Sequence, residues 1–193
     1  INIQIFRCPV ITGIGRLGLQ AVLYEFISEN RKVYVLGNGN NKYQFVDVGD
    51  VVSALIKASE KKGVDVYVIG ADEVLTLRQL YQRVIDYAGS KSKFQPLPAG
   101  PSFFAMTIMD KIIFSPLGIY QRTMMGRSIY ADTTKIKKKL GWYPKKTNAD
   151  TFIDNYKWYI ANKGNFSQIG GNTDSPNRSV PKMGILRLVK MFS

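Results

Sequence analysis

The opening of the chain alternates apolar and polar residues, with apolar side chains at Ile1, Ile3 and Ile5. This alternation is typical of a β-strand that is buried on one face. From residue 19 to about residue 30, apolar residues recur three and four positions apart, which predicts an amphipathic helix. Strands follow at residues 33–36 and 43–48, and the Gly- and Asn-rich turn between them predicts that the two strands form a hairpin.

The rest of the pattern alternates strands with helices. Strands are predicted at residues 65–70, 93–98 and 128–130, and helices at residues 50–60, 77–85, 103–114, 133–140 and 149–162. Prolines limit the strand at residues 93–98 to the edge of a sheet. Strands that are followed by capped helices indicate an α/β architecture.

Four helix ends carry recognisable signals. Thr76 and Gln79 form a capping box ahead of one helix, and Asp132 is placed to cap another. Gly63 and Gly141 follow helical segments at positions where a left-handed C-terminal cap belongs. These residues predict where the helices begin and end.

The end of the chain has a different composition. Residues 164–181 are rich in Gly, Asn, Ser and Pro, and such a segment buries too little apolar surface to offset its ordering entropy, so we expect a flexible linker. Residues 182–193 return to an apolar and basic pattern, which predicts a short amphipathic helix. Two interpretations remain open for this helix, contact with an anionic membrane or docking onto the parent protein.

The composition excludes several classes of site. The chain of 193 residues contains no histidine and one cysteine, Cys8, which excludes a Ser-His or Cys-His catalytic pair and an internal disulfide. A zinc site is not expected, because thiolate and imidazole ligands are almost absent. No signal peptide precedes the first strand, and no apolar run reaches the roughly 18 to 20 residues that span a bilayer. We therefore expect a soluble, cytoplasmic protein.

The net charge of +13 raises nucleic acid, anionic lipid or a phosphorylated small molecule as partners. The charge concentrates at residues 135–146 and again in the tail at residues 178–190. A solvated helix face with a basic tail also explains this distribution. Basic clusters interleaved with aromatic residues, the pattern of single-strand binding, are absent, and this argues against nucleic acid.

Gly13, Gly15 and Gly18 spell G-x-G-x-x-G ahead of the first predicted helix, which taken literally is a dinucleotide-binding fingerprint. Its context is wrong in two respects. Pro9 and its neighbours separate the glycines from the strand, and residues 33–36 run into Gly37 without the acidic residue that binds a ribose. These departures argue against a pyrophosphate site at the glycines.

Four motifs occur in an order that resembles the NAD-dependent epimerase/dehydratase family, the extended short-chain dehydrogenase/reductases. They are R-x-P-x-x-x-G-x-G-R-x-G at residues 7–18, G-x-G with a strand ending F-V-x-V-x-D at residues 37–50, Y-x-I-G at residues 67–70, and A-D-x-x-K-x-x-x-x-L-G-W-x-P at residues 131–144. The order of four motifs is far more specific than any one of them.

The resemblance implies an α/β fold in residues 1–163, made of the closing strands of a Rossmann-type parallel sheet and a small α/β substrate-binding lobe. It implies NAD or NADP as cofactor, with Pro9 and Val10 lining the nicotinamide end. It also implies a small-molecule substrate and a homodimer of the full-length protein. The glycines of residues 13–18 would then lead into the substrate lobe.

The catalytic Tyr-x-x-x-Lys pair and the phosphate-binding glycine loop of the family are expected upstream of residue 1, so this segment alone is expected to be inactive. In that pair, a spacing of four stacks the two side chains on one helix face, and the ammonium lowers the pKa of the phenol. Two literal matches occur here, Tyr87 with Lys91 and Tyr159 with Lys163. We interpret both as coincidental, because Gly89 interrupts the first and a linker follows the second.

The resemblance also implies substrate contacts. The residues concerned are Arg16, Gly37, Asn38, Tyr43, Arg122 and Arg127. Members that act on nucleotide sugars commonly carry an arginine for the diphosphate where this chain has Tyr43 and Gln44. This departure leaves Arg122 and Arg127 as candidates for a phosphate contact, or as partners of surface salt bridges. The same departure weakens the case for a nucleotide sugar as substrate and leaves sterols, flavonol-like alcohols and other carbonyl compounds open.

A rival hypothesis from another class is a non-catalytic binding module. In that interpretation the basic helix at residues 135–146 and the amphipathic tail bind anionic membrane or nucleic acid, and salt abolishes the binding.

Overall fold

The computed structural model describes residues 1–15, 17–18, 20–98, 100 and 127–163, and these residues form an α/β fold. The strands are β1 (Ile3–Arg7), β2 (Val10–Thr12), β3 (Val33–Leu36), β4 (Phe45–Asp47), β5 (Val64–Val68) and β6 (Phe94–Leu97). The helices are α1 (Gln20–Ser28), α2 (Val48–Ser59), α3 (Leu77–Ala88), α4 (Thr134–Leu140) and α5 (Asn148–Asn162). The predicted helix at residues 103–114, the linker and the tail helix lie outside the described residues. Of the described helices, none is long and apolar enough to cross a membrane.

The strands pair in parallel, as β1 with β5, β2 with β4, and β3 with β6. The predicted hairpin between β3 and β4 is therefore wrong. Gly37 and Gly39 take positive φ angles of 67° and 73°, and they turn the chain away from β3. The carbonyl of Gly39 then accepts a hydrogen bond from Arg78 N at 3.0 Å, so the turn is held on α3.

The chain changes partner strand between β1 and β2. The β1–β5 ladder ends where Ile69 N donates to the carbonyl of Arg7 at 3.2 Å. Pro9 has no N–H to continue this ladder. The chain bends at Pro9, and Val10 begins β2, which pairs with β4 instead.

The predicted helix signals agree with the structure at three of their four positions. The capping box of Thr76 and Gln79 is present at α3, and Gly141 ends α4 with a φ of 58°. Asp132 Oδ1 accepts from Thr134 N at 2.8 Å, which satisfies the start of α4. Gly63 is not the cap of α2, because that helix ends at Ser59 and Gly63 forms the turn into β5 with a φ of 86°.

The larger core packs α1, α3 and α5 against β3 and β4, and an aromatic cluster lies within it. Tyr24 is fully buried and contacts Phe152, Tyr156 and Tyr159, with ring centroids 5.7 to 6.5 Å apart. Its hydroxyl donates to the carbonyl of Phe152 at 3.0 Å. Edge-to-face pairs of this kind add roughly 0.5 to 1.5 kcal/mol each to the burial of the rings.

A smaller core joins α2, α4 and β5. Trp142 is 1% exposed and lies with Ala54, Ile136 and Tyr67 in this cluster. The segment after α4 runs back along α2, because Lys57 Nζ donates to the carbonyl of Gly141 at 2.7 Å. Trp142 and the residues after it follow the same path towards the start of α2.

Two apolar surfaces are open in the described part of the chain. Ile3 and Ile5 of β1 are 46% and 47% exposed. On α2, a stripe made of Val48, Val52 and Leu55 is also about half exposed, at 49%, 49% and 48%. The alternation at the start of the chain predicted that the isoleucines are buried, and within the described residues that prediction is wrong because nothing there covers them.

Candidate substrate-binding site

The segment from Lys42 to Phe45 lies at the centre of the candidate site. Tyr43 forms a parallel bridge with Ile129. Ile129 N donates to the carbonyl of Lys42 at 2.8 Å, and Gln44 N donates to the carbonyl of Ile129 at 2.9 Å. The residues that follow Arg127 are thus held beside this segment, although the strand predicted at residues 128–130 is reduced to an isolated bridge at Ile129.

Pro9 and Val10 reach the same segment from the other side. Val10 pairs with Phe45, two residues beyond Tyr43. Pro9 is half-buried, whereas Val10 is 41% exposed. The structure therefore brings Val10, Tyr43 and the segment after Arg127 into one region, which follows the carboxyl end of β1 and lies at the amino ends of β2 and β4. In parallel α/β folds the carboxyl ends of the strands are where ligands bind.

Tyr43 itself is half-buried. Its ring lies 5.1 Å from the ring of Phe45 by centroid distance. Burial raises the pKa of Tyr81 to about 12, and the nearby Tyr43 hydroxyl adds to this rise. One side of Tyr43 is thus occupied by the core.

Gly37 and Asn38 lie at the start of the turn after β3. Gly37 N donates to the carbonyl of Leu97 at 2.8 Å, and Asn38 Oδ1 accepts from Asn40 N at 3.0 Å. The carbonyl of Asn41 accepts from Leu77 N at 3.1 Å, so the turn and the first amides of α3 satisfy each other. Asn38 is exposed at the tip of this turn.

Arg127 is exposed, and within the described residues no carboxylate lies within salt-bridge distance of it. It precedes by two residues the Ile129 that pairs with Tyr43. Its guanidinium is therefore free to meet an anionic ligand near this segment. Arg16 and Arg122, the other two predicted cations, lie outside the described residues.

Gln44 is a residue whose role the sequence did not reveal. It is 2% exposed, and its Nε2 donates to the carbonyl of Ala71 at 2.8 Å while its Oε1 accepts from Ala131 N at 2.9 Å. An added Cβ on Gly70 would lie 2.5 Å from the Gln44 amide, so a side chain at this position would displace that amide. Gln44 ties the segment after β5 to the segment that follows Arg127, and its amide is not available to a ligand.

Asn148, the first residue of α5, also supports the segment. Its Oδ1 accepts from Phe45 N at 3.2 Å, and its Nδ2 donates to the carbonyl of Tyr43 at 3.2 Å. Asn148 is 1% exposed. The backbone N–H of Phe45 and the carbonyl of Tyr43 thus find their partners in one side chain from a residue more than a hundred positions later in the sequence.

Replacing Gln44 with leucine should lower the free energy of unfolding by about 2 to 3 kcal/mol, because it leaves a buried N–H and a buried carbonyl without partners. Urea unfolding of wild type and variant measures this difference. Gln79→Leu, at an exposed capping-box glutamine, is the control and should cost about 1 kcal/mol or less. A Gln44→Leu variant with an unchanged free energy of unfolding would show that the two hydrogen bonds do not stabilise this segment.

Comparison with known proteins identifies the family. Residues 20–155, more than half of the chain, match the family described as GDP-mannose 4,6 dehydratase. The chain belongs to this family. The match confirms the resemblance to NAD-dependent epimerases and dehydratases, which is a family of enzymes.

Individual relatives agree with this assignment. The uncharacterized protein y4nG of Sinorhizobium fredii is 39% identical over 172 residues, which cover 89% of this chain and 43% of that protein. UDP-glucose 4-epimerase of Thermotoga maritima, solved with UDP-glucose, is 22% identical with a TM-score of 0.60, over 84% of this chain and 47% of its own. dTDP-glucose 4,6-dehydratase of Bacillus anthracis, solved with NAD, is 19% identical with a TM-score of 0.60, over 86% and 47%. The chain spans slightly less than half the length of these relatives.

Within this dehydratase family member, packing explains the first glycine of the G-x-G-x-x-G segment. An added Cβ on Gly13 would lie 2.6 Å from Val48 Cγ1, so the strand end and α2 approach too closely for a side chain. Gln20 N donates to the carbonyl of Leu17 at 2.9 Å and Ala21 N to that of Gly18 at 3.3 Å. Since these amides at the start of α1 already have partners, they do not offer a pyrophosphate cradle.

The first match to the family's Tyr-x-x-x-Lys pattern lacks the geometry of an acid/base pair. Tyr87 lies in α3, but Gly89 ends that helix with a φ of 59° before Lys91 is reached. The spacing of four therefore does not stack the two side chains on one helix face.

In the second match the lysine does lie over the tyrosine ring, but the pKa of the tyrosine is raised, whereas the family's pair lowers it. Lys163 Nζ lies 5.9 Å from the ring centroid of Tyr159. The hydroxyl of Tyr159 donates to the carboxylate of Glu25, and burial together with this bond raises the pKa of Tyr159. A general base needs a lowered pKa, so Tyr159 has a structural role.

Replacing Tyr159 with phenylalanine should lower the free energy of unfolding by about 1 to 2 kcal/mol near neutral pH, because Glu25 loses a buried donor. The pKa of Tyr159 is higher in the folded state than in the unfolded state, where it is about 10. The protonated hydroxyl therefore stabilises the fold at pH values below about 10, and this stabilisation is lost as the pH rises above that value. Stability of the variant should therefore fall less steeply in alkali. Urea unfolding across this pH range tests both statements, with Tyr143→Phe at an exposed ring as the control.

Proposed function

We propose that residues 1–163 form the substrate-binding part, together with late strands of the cofactor-binding sheet, of an NAD(P)-dependent epimerase, dehydratase or reductase. The substrate is a nucleotide sugar or a related hydroxyl or carbonyl compound. The observation that carries the proposal is the convergence of Val10, Tyr43 and the segment after Arg127 around residues 42–45 in a chain of this family.

The bend at Pro9 and Val10 is the proposed contact with the nicotinamide ring. This bend follows the carboxyl end of a parallel strand, where ligands bind in such folds. The exposed side chain of Val10 offers an apolar contact for an aromatic ring. A bound nicotinamide would supply the acceptor and donor of a hydride. The contribution of this chain is to orient the ring, to exclude water from its apolar face and to hold the substrate beside it.

The substrate contacts proposed in the described residues are Gly37, Asn38, Tyr43 and Arg127. The planar guanidinium of Arg127 suits a diphosphate, which it can bind through two parallel hydrogen bonds. Asn38 is exposed at the tip of a turn and presents an amide group to a sugar or base. Nucleotide sugars are favoured among the substrate classes because the solved relatives include an epimerase that holds UDP-glucose.

The open apolar surfaces support the idea that further protein completes the sheet. In the described residues β1 pairs with β5 on one edge, and no strand pairs with its other edge. Parallel sheets are normally covered on both faces. The exposed Ile3 and Ile5, and the outer stripe of α2, fit burial against another strand and helix of the full-length enzyme.

Replacing Arg127 with alanine in the full-length protein should weaken the binding of UDP by roughly 10-fold to 100-fold, because a charged bidentate contact to phosphate is lost. Arg127→Lys should recover part of the affinity. Isothermal titration with UDP measures this effect, and Lys93→Ala, an exposed cation that precedes β6, is the control. Equal affinities of Arg127→Ala and wild type would remove Arg127 from the site.

A further inference from the structure

The hydroxyl of Ser128 is a polar group beside Arg127 that has no role in the site as proposed. The backbone pairing of this segment explains where the hydroxyl lies. Tyr43 and Ile129 form a parallel bridge, with backbone hydrogen bonds of 2.8 and 2.9 Å on either side of it. Bonds in a parallel ladder recur at even spacing, so the next one would join Lys42 N to the carbonyl of Arg127.

Side chains take the place of backbone carbonyls at both ends of this short pairing. Lys42 N donates to Ser128 Oγ at 3.0 Å, in the position where a regular ladder has the carbonyl of Arg127. At the other end, Ala131 N donates to Gln44 Oε1 at 2.9 Å instead of a carbonyl. Gln44 is buried, whereas Ser128 is exposed. The ladder therefore ends on an exposed hydroxyl, next to the residue at which the chain leaves the ladder.

The hydroxyl of Ser128 still has a proton to donate. A serine hydroxyl accepts through its lone pairs and donates through one O–H group. The bond from Lys42 N occupies a lone pair of Oγ, and among the described residues the O–H group has no acceptor. A hydroxyl that accepts one hydrogen bond is polarised by it and becomes a better donor in the next. Ser128 thus presents a fixed and unused donor to solvent.

The charges around this O–H group favour an anionic acceptor. Arg127 precedes Ser128 in the chain, and Lys42 lies opposite Ser128 in the parallel pairing. Both cations are exposed, and neither makes a salt bridge within the part of the chain that the structure describes. Two unneutralised cations raise the local concentration of anions at this point of the surface.

We propose that Ser128 is a further substrate-binding residue, whose hydroxyl donates a hydrogen bond to a phosphate oxygen of the substrate. A hydrogen bond from a hydroxyl to a charged oxygen is short, and it is stronger than one between neutral groups. Arg127 and Ser128 then bind the phosphate as consecutive residues, the first through its charge and the second through an oxygen that Lys42 N holds in place. This inference rests on the proposed function, since it adds a donor to the same site.

Isothermal titration of the full-length protein with UDP and with uridine tests the proposal. Ser128→Ala removes the hydroxyl, Ser128→Thr keeps it, and Ser59→Ala is the matched control. Ser59 is also exposed, and its hydroxyl also makes one hydrogen bond to the backbone, to the carbonyl of Ile56 at 2.7 Å. Circular dichroism melting confirms that each variant is folded.

We expect Ser128→Ala to bind UDP roughly 10-fold more weakly than wild type, because a hydrogen bond to a charged oxygen is lost. Its affinity for uridine should not change, since uridine has no phosphate. Ser128→Thr should recover the affinity for UDP, and Ser59→Ala should bind UDP as wild type does. Unchanged binding of UDP by Ser128→Ala, or an equal loss of affinity for UDP and uridine, would overturn the proposal.

Ser128→Ala in the background of Arg127→Ala distinguishes a direct contact from a positioning role. A hydroxyl that itself contacts the phosphate should weaken UDP binding further when it is removed from this background. A serine that only holds Arg127 in place should add no loss there, and that result would overturn the proposal. Wild type that does not bind UDP would contradict the proposed function as well, whereas binding that depends on Arg127 but not on Ser128 would contradict this inference alone.

Discussion

Replacing Trp142 with alanine is expected to lower the free energy of unfolding by about 4 kcal/mol, the largest effect of any single change considered for this chain. The side chain is 1% exposed and fills the space between α2, α4 and β5. Its Nε1 also donates to Ser53 Oγ at 2.8 Å. The variant creates a cavity and leaves the serine hydroxyl without this partner.

Urea unfolding followed by circular dichroism measures the loss, and the adjacent aromatic residue is the natural control. Tyr143 is 61% exposed, and Lys137 Nζ lies 5.6 Å from its ring centroid. Tyr143→Ala should therefore cost about 1 kcal/mol or less, because exposed cation–π contacts are weak. Similar losses at the two positions would mean that Trp142 is not a core residue.

The second large effect is expected at Asp50, whose replacement by alanine should lower the free energy of unfolding by about 3 kcal/mol. The carboxylate is 3% exposed and accepts hydrogen bonds from Lys145 N at 2.9 Å and Lys146 N at 3.2 Å. It also lies in the first turn of α2, where a negative charge is favourable. Asp50 thus anchors the start of α2 to the turn that precedes α5.

Asp50→Asn keeps the shape and one acceptor oxygen, but it removes the charge and turns an N–H group towards one of the two backbone donors. It should be nearly as destabilising as alanine. Asp86→Asn, at an exposed carboxylate that accepts from Gln82 Nε2 at 2.7 Å, is the matched control and should change stability by about 0.5 kcal/mol or less. A stable Asp50→Asn protein would show that the two amides find another acceptor.

Local signals in the sequence determined much of the secondary structure. The capping box at Thr76 and Gln79 and the left-handed glycine at Gly141 act within a few residues of themselves, and their predictions are confirmed. Gly63 failed as a cap because a turn glycine and a cap glycine have the same backbone preference. Only the length of α2 distinguishes the two, and a propensity argument does not fix that length.

Strand pairing could not be derived from local patterns. The Gly- and Asn-rich segment between β3 and β4 has the composition of a hairpin turn, yet the carbonyls of Gly39 and Asn41 bind the first amides of α3. This contact joins residues more than thirty positions apart. The parallel partner of β3, the strand β6, lies still further along the chain.

In the candidate site, too, local motifs were predictive and contacts between distant residues were not. The motifs led to Tyr43 and to Arg127, and a bridge between Tyr43 and Ile129 places the segment after Arg127 beside Tyr43. Gln44 and Asn148 were not found, because their roles depend on bonds to Ala71, Ala131 and the β4 backbone that no spacing in the sequence encodes. The one signal in the sequence is that Gln44 stands between two aromatic residues in a predicted strand, and it points to Gln44 alone.

The isoleucines of β1 show where the sequence carries information beyond the described fold. The alternation of Ile3 and Ile5 is that of a strand with a buried face, and this face is open in the described residues. In a family where this chain covers 43 to 47% of the length of the compared members, the pattern fits a sheet completed by further protein.

The most direct test of the central claim is hydride transfer in the full-length protein loaded with NAD or NADP. Nucleotide sugars are added one at a time, and the absorbance of the reduced nicotinamide and the products are followed. We expect reduction of the cofactor or turnover with at least one nucleotide sugar, and a marked loss of this activity in Arg127→Ala. A folded, cofactor-loaded protein that neither reduces its cofactor nor converts any nucleotide sugar or related hydroxyl compound would contradict it.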